Sequence, residues 1–204
     1  CSAMGFNSEC GAIFRNLRVV GNGGFGRSPI YFGGDSQGIV SPKLDQILIE
    51  NNFGIIAGAV LIASSQGTIR VEARELEVRN NEGRDGSGGL SVGQSTNGTI
   101  EVLIEDSEFI ENIGGGGGGA ITLGVGESIG YFQVERSQFT GNNANVGGAI
   151  YTERTSLDFR FTVTESAFEN NVSFRSGGAI YARWGGHSIS QSLFKRNSTK
   201  ALDS

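Results

Sequence analysis

The sequence predicts an all-β chain folded as a parallel β-helix solenoid, about seven coils of about 30 residues each, with no substantial helix. Three observations carry this. A two-part motif recurs at a near-constant period, apolar residues alternate by two between its copies, and the spacing varies at one place in each repeat.

The motif is clearest at Phe139-x-x-Asn142 followed by Gly147-Gly148-Ala149-Ile150. Phe109-x-x-Asn112 precedes Gly118-Gly119-Ala120-Ile121, and Phe168-x-x-Asn171 precedes Gly177-Gly178-Ala179-Ile180. The apolar residue of the first half falls at Val19, Ile49, Val78, Phe109, Phe139, Phe168 and Phe194, in steps of 30, 29, 31, 30, 29 and 26. An asparagine follows three residues later every time: Asn22, Asn52, Asn81, Asn112, Asn142, Asn171 and Asn197. The alanine position of the second half is read at Ile30, Ala59, Leu90, Ala120, Ala149 and Ala179, in steps of 29, 31, 30, 29 and 30. Two independent rulers therefore agree. The interval from the first half-motif to the second varies between 10 and 12, which places insertions at that corner.

Between the copies the apolar residues form columns. Val40, Ile69, Ile100 and Phe159 share one position; Val71, Val102, Phe132 and Phe161 lie two further on; Leu44, Ala73, Ile104, Val134 and Val163 lie two beyond those. Alternation by two is strand periodicity with one face turned inward. One coil cannot bury its own apolar face, whereas a stack of coils about 4.8 Å apart buries all of them in one core. Phe109, Phe139, Phe168 and Phe194 are then predicted to stack inside, one per coil. Asn52, Asn81, Asn112, Asn142, Asn171 and Asn197 are predicted to sit at a corner and satisfy backbone groups that the turn leaves open. Ser107, Ser137, Ser166 and Ser192 form a further column, read as a hydroxyl ladder.

Composition limits the alternatives. The chain has 204 residues, with 34 Gly, 2 Pro and 13 Phe, and no Gly-X-Y period, so collagen is excluded. A net charge of −5 argues against nucleic acid as a partner. No apolar run is long enough to span a membrane. Cys1 and Cys10 are too few for a disulfide framework, and whether they pair is left open. Residues 1–204 are read as a single β-helix segment of a longer solenoid.

Phe-x-x-Asn paired with Gly-Gly-Ala-Ile resembles the repeat of the chlamydial polymorphic membrane proteins, and is similar more generally to pectin-lyase-like right-handed β-helices. The full pair occurs three times, and degenerate copies such as Ile49-x-x-Asn52 with Ala57-Gly58-Ala59-Val60 extend the likeness. The resemblance implies a right-handed coil, in keeping with the handedness of parallel crossovers, and a surface-exposed, adhesin-like role. The expectation is an extracellular or cell-surface structural or adhesive module without catalysis. Its expected partners are flanking β-helix coils of the same chain, other subunits of a surface assembly, or host or cell-wall glycans. The alternative is a carbohydrate-active or carbohydrate-binding β-helix.

Candidate chemistry lies on the outward positions. Glu75, Glu77, Glu105, Asp106 and Glu108 fall on adjacent coils and are candidate ligands for calcium, the one cofactor considered, since hard cations prefer clustered oxygens. The plainer reading is a solvated face on which Arg74, Arg79 and Arg136 offset these acids. Trp184 beside Arg183 is a candidate carbohydrate contact. His187 is the only histidine and is placed in a corner loop. The glycines from Gly114 to Gly119 lack the Lys-Ser/Thr and the helix of a phosphate-binding loop, and are read as a flexible bulge. Sequons begin at Asn97, Asn171 and Asn197; the latter two are ladder residues, so Asn97 is the candidate glycosylation site.

Overall fold

The computed structural model describes residues 2–4, 9–24, 26–35, 38–94, 98–124, 126, 128–153, 158–183 and 185–200. They form a parallel β-solenoid whose strands pair with equivalent strands of the next pass, about one repeat away in sequence. A typical coil runs through Glu108–Ile110, Ile113–Gly114, Ile121–Gly124 and Ile129–Glu135. The first sheet stacks seven strands, from Ser2–Met4 through Leu90–Gln94 to Ile180–Ala182. The second has fourteen and holds both the long strands, such as Gly98–Glu105, and the short Phe-x-x-Asn strands. The third has six, from Phe53–Gly54 to Ser198–Thr199. Seven passes of the motif therefore enclose about six turns, and the expected seven coils are corrected to about six: counting motif copies counts the rungs, and each turn lies between two of them.

The columns read from sequence are physical ladders. Val78 registers with Ile49 and Phe109, Phe109 with Phe139, Phe139 with Phe168, and Phe168 with Phe194. The Phe rings stack with centroids 5.0, 4.7 and 4.8 Å apart and planes within 3°. In the long strands Val71, Val102, Phe132 and Phe161 align, and the last two rings stack at 5.2 Å.

One column needs correcting. Ile30 and Leu90 both register with Val60, and Leu90 also with Ile121, so they belong to the isoleucine position. The alanine position is filled there by Pro29 and Gly89; Gly89 accepts from the Ala59 N–H at 3.2 Å and donates to the Ala120 carbonyl at 3.1 Å. What the site demands is a small residue rather than alanine itself. The glycine before it is fixed by close approach: a Cβ on Gly148 would meet the Gly178 carbonyl oxygen at 2.0 Å and the Val172 nitrogen at 2.7 Å.

Facing columns trade side-chain size in the C-terminal coils, as dense packing favours. Where the second sheet supplies Phe159 and Phe161, the facing first-sheet column contracts from Leu123 to Thr152, and Ala182 follows beside His187. The Gly114–Gly119 run is likewise packed, not a flexible bulge. Cβ atoms on Gly115 and Gly116 would strike the Arg84 and Asp85 carbonyls of the preceding coil at 1.8 and 2.0 Å. The Gly115 N–H donates to the Gly83 carbonyl at 2.8 Å.

Candidate functional site

The most developed polar arrangement is the asparagine ladder. Asn142 is fully buried and uses every group of its amide. Its Nδ2 donates to the Phe109 carbonyl at 2.9 Å and to Asn171 Oδ1 at 3.0 Å, and its backbone N–H reaches that same Oδ1 at 3.0 Å. Its own Oδ1 accepts from the Asn112 backbone N–H at 3.0 Å and from Asn112 Nδ2 at 3.1 Å. The donations to the next asparagine are the same for Asn22, Asn52, Asn81, Asn112 and Asn171, so one chain of amides runs from Asn22 to Asn197. A buried amide satisfied at all four positions welds coil to coil and selects the register.

The corner that presents each asparagine was missed by the sequence reading. The residue before it adopts positive φ in all seven passes: Gly21 (67°), Asn51 (56°), Asn80 (53°), Glu111 (51°), Gly141 (66°), Asn170 (54°) and Arg196 (54°). A second left-handed corner precedes the short strand, at Asn16, Gln46, Glu75, Asp106, Arg136, Glu165 and Gln191. Gly21, Asn51, Asn80, Gly141 and Asn170 were the available signal, because Gly and Asn tolerate this conformation best. The serine column is also a ladder to backbone: Ser107 N–H donates to Ser137 Oγ and Ser137 N–H to Ser166 Oγ, both at 3.1 Å. Towards the N-terminal coils this position turns apolar; Leu76 N–H donates to Ser107 Oγ at 3.1 Å, and Leu17 registers with Ile47 above it.

The five acids proposed from sequence do lie on the outer face of adjacent coils, and arginines hold most of them. Arg136 contacts Asp106 Oδ1 at 2.8 Å, Glu105 Oε1 at 3.0 Å and Glu135 Oε2 at 3.1 Å. Arg74 lies 2.8 Å from Glu105, and Arg79 2.7 Å from both Glu77 and Glu50. Glu75 accepts from Gln46 Nε2 at 2.9 Å, while Glu108 is exposed. The hydrogen bond from Arg136 holds the Asp106 carboxyl below its ordinary range, against a smaller opposing effect of burial, and the same bond raises Arg136. Among the described residues no group of three or more His, Cys, Asp or Glu side chains is placed to hold a metal. The face is a cross-coil ion-pair network, also joined by Arg70–Glu101 at 2.6 Å and Lys43–Glu72 at 2.9 Å. Exposed pairs of this kind add little stability singly.

Arg183 is exposed at the end of the first sheet, its backbone N–H 3.3 Å from the Thr152 carbonyl. Trp184, Asn97 and Cys1 lie outside the described residues. His187 is not in a corner loop: it is in strand Gly186–Ser190, registers with Phe161, and meets that ring edge-on at 6.2 Å. Two glycines before it hid the shortened coil that brings it into the inward column. Tyr151 and Tyr181 stack at 5.6 Å on the outer face of the first sheet. Among the described residues no helix is long and apolar enough to cross a membrane.

The fold and its ladders define a repeat-built β-solenoid in which the motif residues maintain the coil. Within it, two stretches, residues 136–153 and 165–183, match the Chlamydia polymorphic membrane protein repeat. These stretches contain Phe139 to Ile150 and Phe168 to Ile180, so the matched repeat is the same unit that the ladders build. No curated protein and no solved structure matches the chain.

Proposed function

We propose that the chain is a structural module of a cell-surface protein, a stiff β-helical segment that holds its connecting loops outside the cell for adhesion. The observation that supports this most is the repeat of a membrane-protein family falling on the coils whose ladders are complete. The motif residues are consumed by the coil: the asparagine amides bond to one another and the phenylalanines stack on their neighbours, so recognition belongs to the loops and outer faces. A buried amide chain gives the stack one register, which suits a spacer that keeps its shape away from other support.

The test is membrane-impermeant amine labelling of intact source cells. Lys43 and Lys195 are about half exposed in the folded coil. The reading predicts labelled lysine peptides from intact cells at yields near those from lysed cells. Labelling that appears only after lysis would refute a surface location.

A further inference from the structure

The outer face of the second sheet changes chemistry along the stack. Arg70, Glu101, Tyr131, Arg160 and Gly186 make one outward column, and Glu72, Leu103, Gln133, Thr162 and Ser188 make the next. In the earlier coils these positions hold charges that cancel, as Arg70 with Glu101 at 2.6 Å and Lys43 with Glu72 at 2.9 Å. From Tyr131 onward they hold hydroxyls, one amide and a single guanidinium.

That guanidinium is unmatched. Every other Arg or Lys described in the strands of this sheet has a carboxylate within 3.5 Å. Arg160, in strand Phe159–Thr164, is exposed and among the described residues has no such partner. The reason lies in its column: where Arg70 meets Glu101, Arg160 stands between Tyr131 and Gly186. Asp158, two residues earlier, is engaged elsewhere. Gly186 leaves a notch beside the guanidinium, since a Cβ there would come no nearer than 4.0 Å to another atom. The depression has a volume of about 370 Å³ and is lined by Arg160, Thr162, Gly186, His187 and Ser188. Thr162 and Ser188 stand on adjacent rungs, about 4.8 Å apart. Their hydroxyls make no hydrogen bond among the described residues. This face looks outward, so a coil stacked on either side lengthens the row and does not roof it. Residues 158–200 carry six basic and three acidic side chains in a chain of net charge −5, which draws anions to these coils.

We propose that this row binds an acidic glycan. The Arg160 guanidinium takes two oxygens of a carboxylate or sulfate in its planar fork, the geometry that suits arginine better than lysine. The Thr162 and Ser188 hydroxyls bond the hydroxyls of the sugar that bears the anion, and the Gln133 amide serves the neighbouring sugar on the rung before. A protein interface centres on desolvated apolar or aromatic anchors, whereas free hydroxyls predominate here and match a polyhydroxylated ligand. The proposal rests on the reading that the outer faces do the recognising. It is tested on the purified chain, so its failure leaves a surface location untouched.

The experiment is equilibrium binding of the 204-residue chain to labelled heparin and hyaluronan oligosaccharides, with polyglutamate as the acidic peptide for comparison. Binding to heparin alone assigns a sulfate, and binding to hyaluronan as well assigns a carboxylate; either is the expected result. Arg160→Gln, with its β-sheet circular dichroism intact, should weaken that binding roughly tenfold or more. Arg84→Gln makes the same charge change at a distant corner, where Arg84 faces Asp85 at 3.3 Å, and should leave affinity unchanged. Thr162→Val should weaken the glycan and not polyglutamate. Should Arg160→Gln misfold, Arg160→Lys keeps the charge without the fork and should still lose affinity. A chain that binds neither glycan overturns the proposal, as do equal losses from Arg160→Gln and Arg84→Gln, which would mean diffuse charge attraction. Polyglutamate bound as tightly as the glycans, and lost as fully on Arg160→Gln, overturns the glycan in favour of an acidic protein.

Discussion

Replacing Asn142 by aspartate changes one NH₂ to an oxygen and leaves the shape of the side chain almost untouched. In the folded coil that atom faces two acceptors, the Phe109 carbonyl at 2.9 Å and Asn171 Oδ1 at 3.0 Å. Both hydrogen bonds are lost. Asn171 Oδ1 keeps the backbone N–H of residue 142, whereas the Phe109 carbonyl loses its side-chain donor. Each buried polar group left open costs ~1–3 kcal/mol, and groups held against a charge cost more, so the loss should be ~3–6 kcal/mol at neutral pH. Burial and the facing oxygens disfavour the carboxylate, so the introduced carboxyl has a folded-state pKa above its unfolded value. The folded variant then binds more protons than the unfolded one, and its stability falls as pH rises from the unfolded pKa through the folded one. The defect should therefore be partly relieved in mild acid. Urea denaturation followed by circular dichroism at neutral and mildly acidic pH measures both effects, with Asn197→Asp at the half-buried end as the comparison. A loss below ~1 kcal/mol at neutral pH, or equal losses at the two positions, would refute a buried amide ladder.

Three further outcomes are expected. Phe139→Ala removes a ring stacked at 5.0 and 4.7 Å on both sides and should cost ~3–5 kcal/mol in the same denaturation series; a loss under ~1 would put Phe139 outside the core. Glu111→Gly relieves a left-handed residue at φ 51° and, after the extra entropy of glycine in the unfolded chain, should stabilise by ~0.5–1 kcal/mol, read as a raised denaturation midpoint. Arg136→Gln removes the partner that lowers the Asp106 pKa, so a carboxyl titration followed by NMR should show that pKa move up towards the ordinary carboxylate range. With Arg136 in place, the Asp106 pair stabilises the fold above the unfolded carboxylate pKa, and that contribution fades as pH falls through the depressed folded value.

Much of this architecture was legible because a solenoid turns sequence period into spatial neighbourhood. Val19 to Phe194 and Asn22 to Asn197 were in register before any coordinate, since a coil of nearly constant length cannot shift one column without shifting the others. The period failed where the restraint is size rather than residue type. Pro29 and Gly89 hold the alanine position, so searching for an apolar residue moved those copies by one. The left-handed corners were hidden for a related reason: Glu111, Arg136 and Arg196 occupy them under force from the ladders on either side, which overrides local preference. The glycine run misled because glycine is also the residue of tight contact, and Gly115 is held by the coil before it. On the candidate site, spacing placed Glu105 and Asp106 correctly on the outer face. It carried no signal that Arg136 would reach three carboxylates from two coils, which depends on side-chain length and a corner conformation.

The most direct test of the central claim, that the repeated motif builds one continuous buried ladder, is hydrogen exchange of the backbone amides of Asn52, Asn81, Asn112, Asn142 and Asn171 in dilute protein. Each donates to the Oδ1 of the next asparagine at 2.9–3.1 Å, so all five should exchange only through global opening of the stack. Exchange of the Asn112 or Asn142 amide at the rate of a solvent-facing loop would contradict the ladder and the fold built on it.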